Sequence, residues 1–218
     1  MSNNTYFPCY NCGAEIKDGT FKSNNLFSKN DTAIINEYSD NPKNGYCDKC
    51  GLKLFKEAEL KLKAEKSSIK EEIRLLLDQI PIFTIQYLPN WEYKVLGMVT
   101  GQSTTGTGII TEFTSSFTDF FGEQSKKHNA KLKAGEMLSS YQMRSHTFEM
   151  GGNAIIGVDI DYTDSGDGKG MLIVCMSGTA INADESCFSE SQINSIKSLK
   201  AKKARLEYLK QFKLYVIV

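Results

Sequence analysis

Residues 151–162 read GGNAIIGVDIDY, and this stretch decides the fold class. Two adjacent glycines stop a helix, because glycine takes the left-handed conformation that closes a helix C-terminus. The residues after them, Ala154 to Tyr162, read as a strand. Working upstream, roughly Glu123 to Glu149 reads as a long helix, with Leu132, Leu138, Tyr141 and Phe148 as core contacts. Working downstream, the polar turn DSGDGKG joins the strand to a second one, Met171 to Ile181, as a hairpin. Before the helix, IPIFTIQYL and Tyr93 to Thr100 read as two further strands, separated by a turn at Pro89-Asn90. The fold class expected is α+β, a small antiparallel sheet packed on a long helix.

Further upstream the pattern changes. GLKLFKEAELKLKAEKSSIKEEIRLLLDQI, residues 51–80, repeats its apolar positions with the helical period: Leu54, Ala58, Leu62, Ile69, Ile73 and Leu76 or Leu77 share one stripe. Ser67-Ser68 marks a break in this helix, with Ser68 and Glu71 as a capping box, and Pro81 ends it. At the other end of the chain, Ser189 to Leu214 reads as a basic amphipathic helix. Lys197, Lys200, Lys202, Lys203, Arg205, Lys210 and Lys213 stand against Glu190 and Glu207, with Ile193, Ile196, Leu199, Leu206 and Leu209 on an apolar side. Such a helix packs on its own protein or on a partner; touching nucleic acid or anionic lipid is the alternative. The domain reading is a four-cysteine module over 1–53, a linker helix over 54–80, the sheet domain over 81–183 and the basic helix over 184–218.

The clearest chemistry lies near the N-terminus. Cys9-Tyr-Asn-Cys12-Gly and Cys47-Asp-Lys-Cys50-Gly are two matched pairs. Two residues between thiols let both sulfurs turn onto one ion, and two such pairs supply the four thiolates of a tetrahedral structural Zn²⁺ site. One zinc per chain is expected, and four thiolates leave no open position for catalysis. Gly13 and Gly51 are expected to permit the backbone conformations of the knuckles. Cys50 then falls at a helix start, where the amide dipoles favour a thiolate. The pieces TFKSNNLF and TAIINEY between the pairs read as one or two hairpins. Of the other two cysteines, Cys175 inside MLIVCM reads as a small buried hydrophobe and Cys187 as an exposed residue without an activating neighbour.

From Ile82 to Ile181 the chain resembles the YbjQ family of domains, whose label is heavy-metal binding. The resemblance rests on Val99-Thr100-Gly101, on Phe117-Thr-Asp-Phe-Phe121-Gly, on Gly151 to Tyr162, on Met171-Leu-Ile-Val and on Ser177-Gly-Thr-Ala180. It implies an antiparallel sheet against a long helix and a ring-forming homo-oligomer, most typically a homopentamer. Gly-Gly-Asn stands where Gly-Ala-Asp is more usual, which removes one acidic group, and the zinc module and C-terminal helix lie outside the family pattern.

Other constellations are thinner. Asp159 and Asp161 sit two apart in a strand, so their carboxylates share a face, and Asp164 and Asp167 come next along the chain. They are the candidate second metal site, or acceptors at a subunit contact. A metal-dependent enzyme built on Asp159 and Asp161 is the enzymatic alternative. His128 and His146 fall on one helix about 27 Å apart and cannot share a ligand within one chain. Gly101 to Gly108 lacks the Lys-Ser/Thr of a phosphate loop. Lys plus Arg and Asp plus Glu number 26 each, so no global charge steers the chain to nucleic acid or membrane. The hydrophobic fraction of 40% excludes wholesale disorder, and no apolar run is long enough for a membrane span. MSNNTYF has no signal character, so a cytoplasmic protein is expected. The functional reading is a zinc-containing, metal-binding, non-enzymatic oligomer, with a protein partner at the zinc module or C-terminal helix. The alternative is a nucleic-acid-binding module using the zinc ribbon and basic helix.

Overall fold

The computed structural model describes residues 7–17, 23–105, 125–164 and 172–214. The chain divides into two compact units, Ile73–Lys200 and Met1–Glu72 with Ala201–Val218. In chain order the elements are α1 (Lys29–Glu37), α2 (Asp48–Leu77), β1 (Tyr93–Thr105), α3 (Ser125–Glu149), β2 (Ala154–Asp164), β3 (Leu172–Ala183) and α4 (Glu190–Lys210), with a short 3₁₀ turn at Glu185–Cys187.

The Ile73–Lys200 unit is the α+β domain. Its three strands are antiparallel in the order β1-β3-β2, with α3 across one face. β3 alternates from Leu172 to Ala180, so Leu172, Val174, Met176 and Ala180 meet Met143 of α3, Val99 of β1 and Ile155 and Val158 of β2 in one core. Two buried hydroxyls tie the helix to the sheet: Ser103 Oγ donates to Gly135 O at 3.0 Å, and Ser139 Oγ donates to Val174 O at 3.2 Å. The helix comes unusually close because Gly101 has no side chain: a Cβ there would stand 1.9 Å from Ser139 O. A second core of Leu88, Ala154, Ile156, Ile181, Ala183 and Phe188 lies apart from the first, with Phe83, Trp91 and Tyr93 packed on it. Trp91 makes edge-on contacts with the rings of Phe83 and Phe188.

IPIFTIQYL does not form a strand of its own. Residues 81–85 run beside β2 through Phe83 N to Ile155 O (2.8 Å), Ile155 N to Pro81 O (3.0 Å) and Val158 N to Phe83 O (3.0 Å), with one parallel bridge at Ile82. Gly157, with φ at +61°, sits where the β2–β3 register shifts, and its N–H turns outward to Ile85 O. That bulge ends the pairing after a few residues. Phe117–Gly122 and Asp167 lie outside the described residues.

In the other unit, TAIINEY is helical. Ser28 caps α1 by accepting from Asp31 N at 3.1 Å, and its hydroxyl donates to Asp31 Oδ2 at 2.8 Å. The neighbouring Ile34 and Ile35 both turn inward, which a strand could not achieve. Thr20 to Lys22 of TFKSNNLF lie outside the described residues; among the described ones the expected hairpins are present as isolated bridges, Lys17 with Asn24 and Leu26 with Cys47. α2 runs unbroken through Ser67-Ser68, where Ser68 Oγ bonds Glu72 Oε1 at 3.1 Å, so two serines cost the helix too little to interrupt it. α4 begins with a Ser189–Gln192 capping box.

Candidate metal centre

The two cysteine pairs come together by different local means. Cys9 to Gly13 form a tight turn: Gly13 N donates to Cys9 O at 2.9 Å and Cys9 N to Ala14 O at 2.8 Å. Gly13 takes φ of +71°, which closes the turn. The second pair straddles the start of α2. Cys47 precedes the helix, Cys50 lies in its first turn, and Cys50 N and Gly51 N both donate to Cys47 O, at 3.1 and 2.7 Å. Gly51 has ordinary helical backbone. Its smallness serves packing instead, since a Cβ would stand 3.1 Å from the Phe27 ring and from Tyr46 Cβ.

All four Sγ atoms lie within 4.8 Å of one another. Cys9 to Cys50 is 3.6 Å, Cys12 to Cys47 is 3.7 Å and Cys47 to Cys50 is 3.9 Å. Four sulfurs around one zinc at about 2.3 Å stand about 3.8 Å apart, so the set fits a tetrahedral ion. None of the four is in a disulfide. Cys9 and Cys47 are buried, Cys50 half-buried and Cys12 exposed. Burial works against the Cys9 thiolate, but the backbone amides of Cys12, Asn11 and Cys47 outweigh it and bring the thiol down to about 6. Burial pushes Cys50 up to about 11, with the neighbouring thiols of Cys9 and Cys12 adding to the rise. Clustered thiols share protons in this way until a cation displaces them.

Several residues that support the centre carry no motif. Asp48 Oδ2 accepts from Asn25 N at 2.8 Å while Asp48 N donates to Asn25 O at 3.0 Å, joining the segment before α1 to the helix that bears Cys50. Tyr46, 1% exposed, donates to Asn36 Oδ1 at 2.8 Å. Asn24 Nδ2 donates to Glu15 O at 2.7 Å, bracing the loop after Cys12.

The remaining candidates are dispersed. Asp159 and Asp161 point away from α3 and are exposed, and among the described residues no further His, Cys, Asp or Glu joins them in a cation-sized group. Cys175 is half-buried on that same outer face, opposite Asp161, because Val174 and Met176 take the inward positions of β3. Cys187 is half-buried against the second core. His146 is exposed in the last turn of α3. Several basic residues of α4 are engaged within the chain. Arg205 reaches Glu65 at 2.8 Å and Glu37 at 2.7 Å, Lys202 reaches Glu72 at 2.6 Å, and Lys197 reaches Glu185 at 3.5 Å. A groove of about 560 Å³ beside Glu65, Glu72, Lys202 and Arg205 is lined by these same paired charges. Among the described residues no helix is long and apolar enough to cross a membrane.

A four-cysteine cluster that could hold a metal ion, in one unit, and a helix-covered antiparallel sheet, in the other, make up an α+β protein. A family model described as "Putative heavy-metal-binding", the YbjQ family, matches residues 80–184. A UPF0145 protein of Acetivibrio thermocellus is 42% identical over 90 residues, spanning 41% of this chain and 83% of the relative. One from Clostridium kluyveri is 38% identical over the same shares. The chain belongs to this family. A crystal structure from Pediococcus pentosaceus, of a DUF74-family protein of unknown function, matches at 16% identity and a TM-score of 0.31, covering 47% of this chain and 96% of that one. The family match begins at residue 80, so the cysteine cluster lies outside the matched residues.

Proposed function

We propose that Cys9, Cys12, Cys47 and Cys50 hold one structural Zn²⁺ per chain, and that the YbjQ domain, spanning 81–183, assembles the protein into a cytoplasmic, non-enzymatic homo-oligomeric ring, expected to be a pentamer. The observation that carries the metal assignment is the approach of all four Sγ atoms within 4.8 Å. An all-sulfur tetrahedral set suits Zn²⁺, which has no geometric demand of its own and tolerates thiolate. Bound there, zinc supplies a cross-link rather than a reaction centre, because four protein ligands leave no position for water or substrate. The chain's own residues do the positioning. The Gly13 turn presents Cys9 and Cys12, while Cys47 just before α2 and Cys50 in its first turn lie at the positive end of the helix dipole, which favours thiolate. A module whose largest fully buried side chains include Tyr46, Ile34 and Leu62 has a small core, and a metal staple compensates for it.

The assembly reading is supported by the family membership and by sheet edges that stay open among the described residues. Native mass spectrometry of the full chain tests both parts together. The expected result is a ring of identical chains with one zinc each. A metal-free protein with four freely titrating thiols overturns the zinc assignment, and a monomer at micromolar concentration overturns the ring.

A further inference from the structure

The two lateral edges of the sheet differ in chemistry and complement each other. β1 forms one edge, and no described strand pairs with its outer side. From Val95 to Thr105 it carries no charged residue and no proline, two of the devices that protect natural edge strands; its one irregularity is the register shift between Val95 and Gly97. β2 forms the other edge. Its first half is already covered by residues 81–85, through Phe83, Ile155, Gly157 and Val158. Its second half, from Asp159 on, has no described strand on its outer side.

Strand alternation decides which side chains these edges present. Val99, Gly101 and Ser103 turn toward α3, so Thr100, Gln102 and Thr104 point to the opposite face. In β2, Val158 and Ile160 pack beneath α3 and Tyr162 donates to Glu136 of α3 at 2.8 Å, so Asp159, Asp161 and Thr163 point to that same opposite face. Register aligns them in rows: Thr100–Ser177–Asp159 and Gln102–Cys175–Asp161. One edge therefore offers uncharged hydroxyl and amide donors, and the other offers two exposed carboxylates that only accept. Met98, 76% exposed on the donor edge, adds apolar surface beside them.

Building on the proposed ring, we propose that the β1 edge of one copy docks against the acidic half of β2 in the next copy. Thr100, Gln102 and Thr104 donate to the partner's Asp159 and the partner's Asp161. β1 and β2 are both antiparallel to β3, so they run in the same direction. Rotation about an axis along the strands then brings β1 beside the neighbour's β2 in parallel. This contact is head-to-tail, which closes a ring. Self-pairing fits less well. β2 on β2 sets carboxylates near carboxylates, and β1 on β1 stops at two copies. Gln102 N already donates to Gln142 Oε1 at 2.9 Å, so at that row the contact uses the Gln102 side chain.

The test is charge exchange between the edges, read in the full chain by native mass spectrometry and light scattering across a dilution series. Thr100→Asp with Thr104→Asp puts like charge against the partner's aspartates, and the dissociation constant should rise at least tenfold. Combining it with Asp159→Lys and Asp161→Lys makes the two edges opposite in charge, and assembly should return. Circular dichroism monitors folding; where the Asp pair on β1 unfolds the chain, Asp159→Asn with Asp161→Asn is the gentler arm and should also weaken assembly. A ring of unchanged affinity in the folded variants overturns the edge assignment and leaves the ring reading standing. Weakening without recovery in the combined variant overturns it as well. A wild-type monomer overturns both.

Discussion

Replacing Gly101 with alanine puts one methyl group where α3 rests on β1. The new Cβ would lie 1.9 Å from Ser139 O, 2.6 Å from Ser139 C and 2.9 Å from Ser139 Cα. All three are helix backbone, so no side-chain rotation relieves the clash. Restoring an ordinary contact separates helix and strand by at least about 1 Å locally, in an interior packed like a molecular crystal. That shift loosens Val99 and Met143 and stretches the Ser103–Gly135 and Ser139–Val174 hydrogen bonds. Overpacking costs about 1–3 kcal/mol, and a backbone-on-methyl clash belongs at the upper end, about 3 kcal/mol. The melting temperature should fall by on the order of 10 °C. The single tryptophan, Trp91, lies in the Ile73–Lys200 unit, so its fluorescence in a urea titration reports on this domain. Gly151→Ala is the control: its φ of +84° brings strain, but nothing lies within 4 Å, so about 1 kcal/mol is expected. A Gly101→Ala protein within about 0.5 kcal/mol of wild type would refute the close seating of α3 on β1.

Three further outcomes are expected. Asn153→Ala removes a side chain that acts as a rung of the sheet, with Nδ2 donating to Ala183 O at 2.7 Å and Oδ1 accepting from Ala183 N at 2.8 Å; urea unfolding should show a loss of about 2 kcal/mol. Arg205, foremost by its hydrogen bonds to Glu65, holds that carboxyl below its ordinary value of 4.5. A lowered pKa in the folded state gives stability that is present above 4.5 and lost as pH falls through the lowered value, so Arg205→Ala should flatten the acid limb of the melting profile relative to wild type. Cys50→Ala should reduce metal content below one equivalent by elemental analysis and unfold the cysteine module, while the Trp91 transition stays in place; full metal occupancy would contradict the ligand assignment.

How much of the molecule is legible in the sequence depends on how local each signal is. β2 and β3 are legible because their apolar alternation and the Gly151-Gly152 stop are written in contiguous residues, and the helix before them is legible for the same reason. The cysteine pairs are legible because metal geometry constrains spacing directly. TAIINEY misleads because Ile34 and Ile35 fit an apolar strand as readily as a helix; the Ser28–Asp31 cap is the signal that decides for helix. IPIFTIQYL has strand composition, yet the Gly157 bulge in its neighbour stops the pairing, and a bulge in one segment is not visible from another. The Glu37–Glu65–Arg205 cluster joins positions far apart in the chain, with no periodicity to announce it. Cys175 misleads because an apolar run does not say which of its members faces outward.

The most direct test of the central claim is X-ray absorption at the zinc edge of the purified full chain. Four thiolates from Cys9, Cys12, Cys47 and Cys50 predict a single shell of four sulfurs at about 2.3 Å around one zinc per chain. A shell containing nitrogen or oxygen ligands, or a protein that carries no zinc, would contradict it.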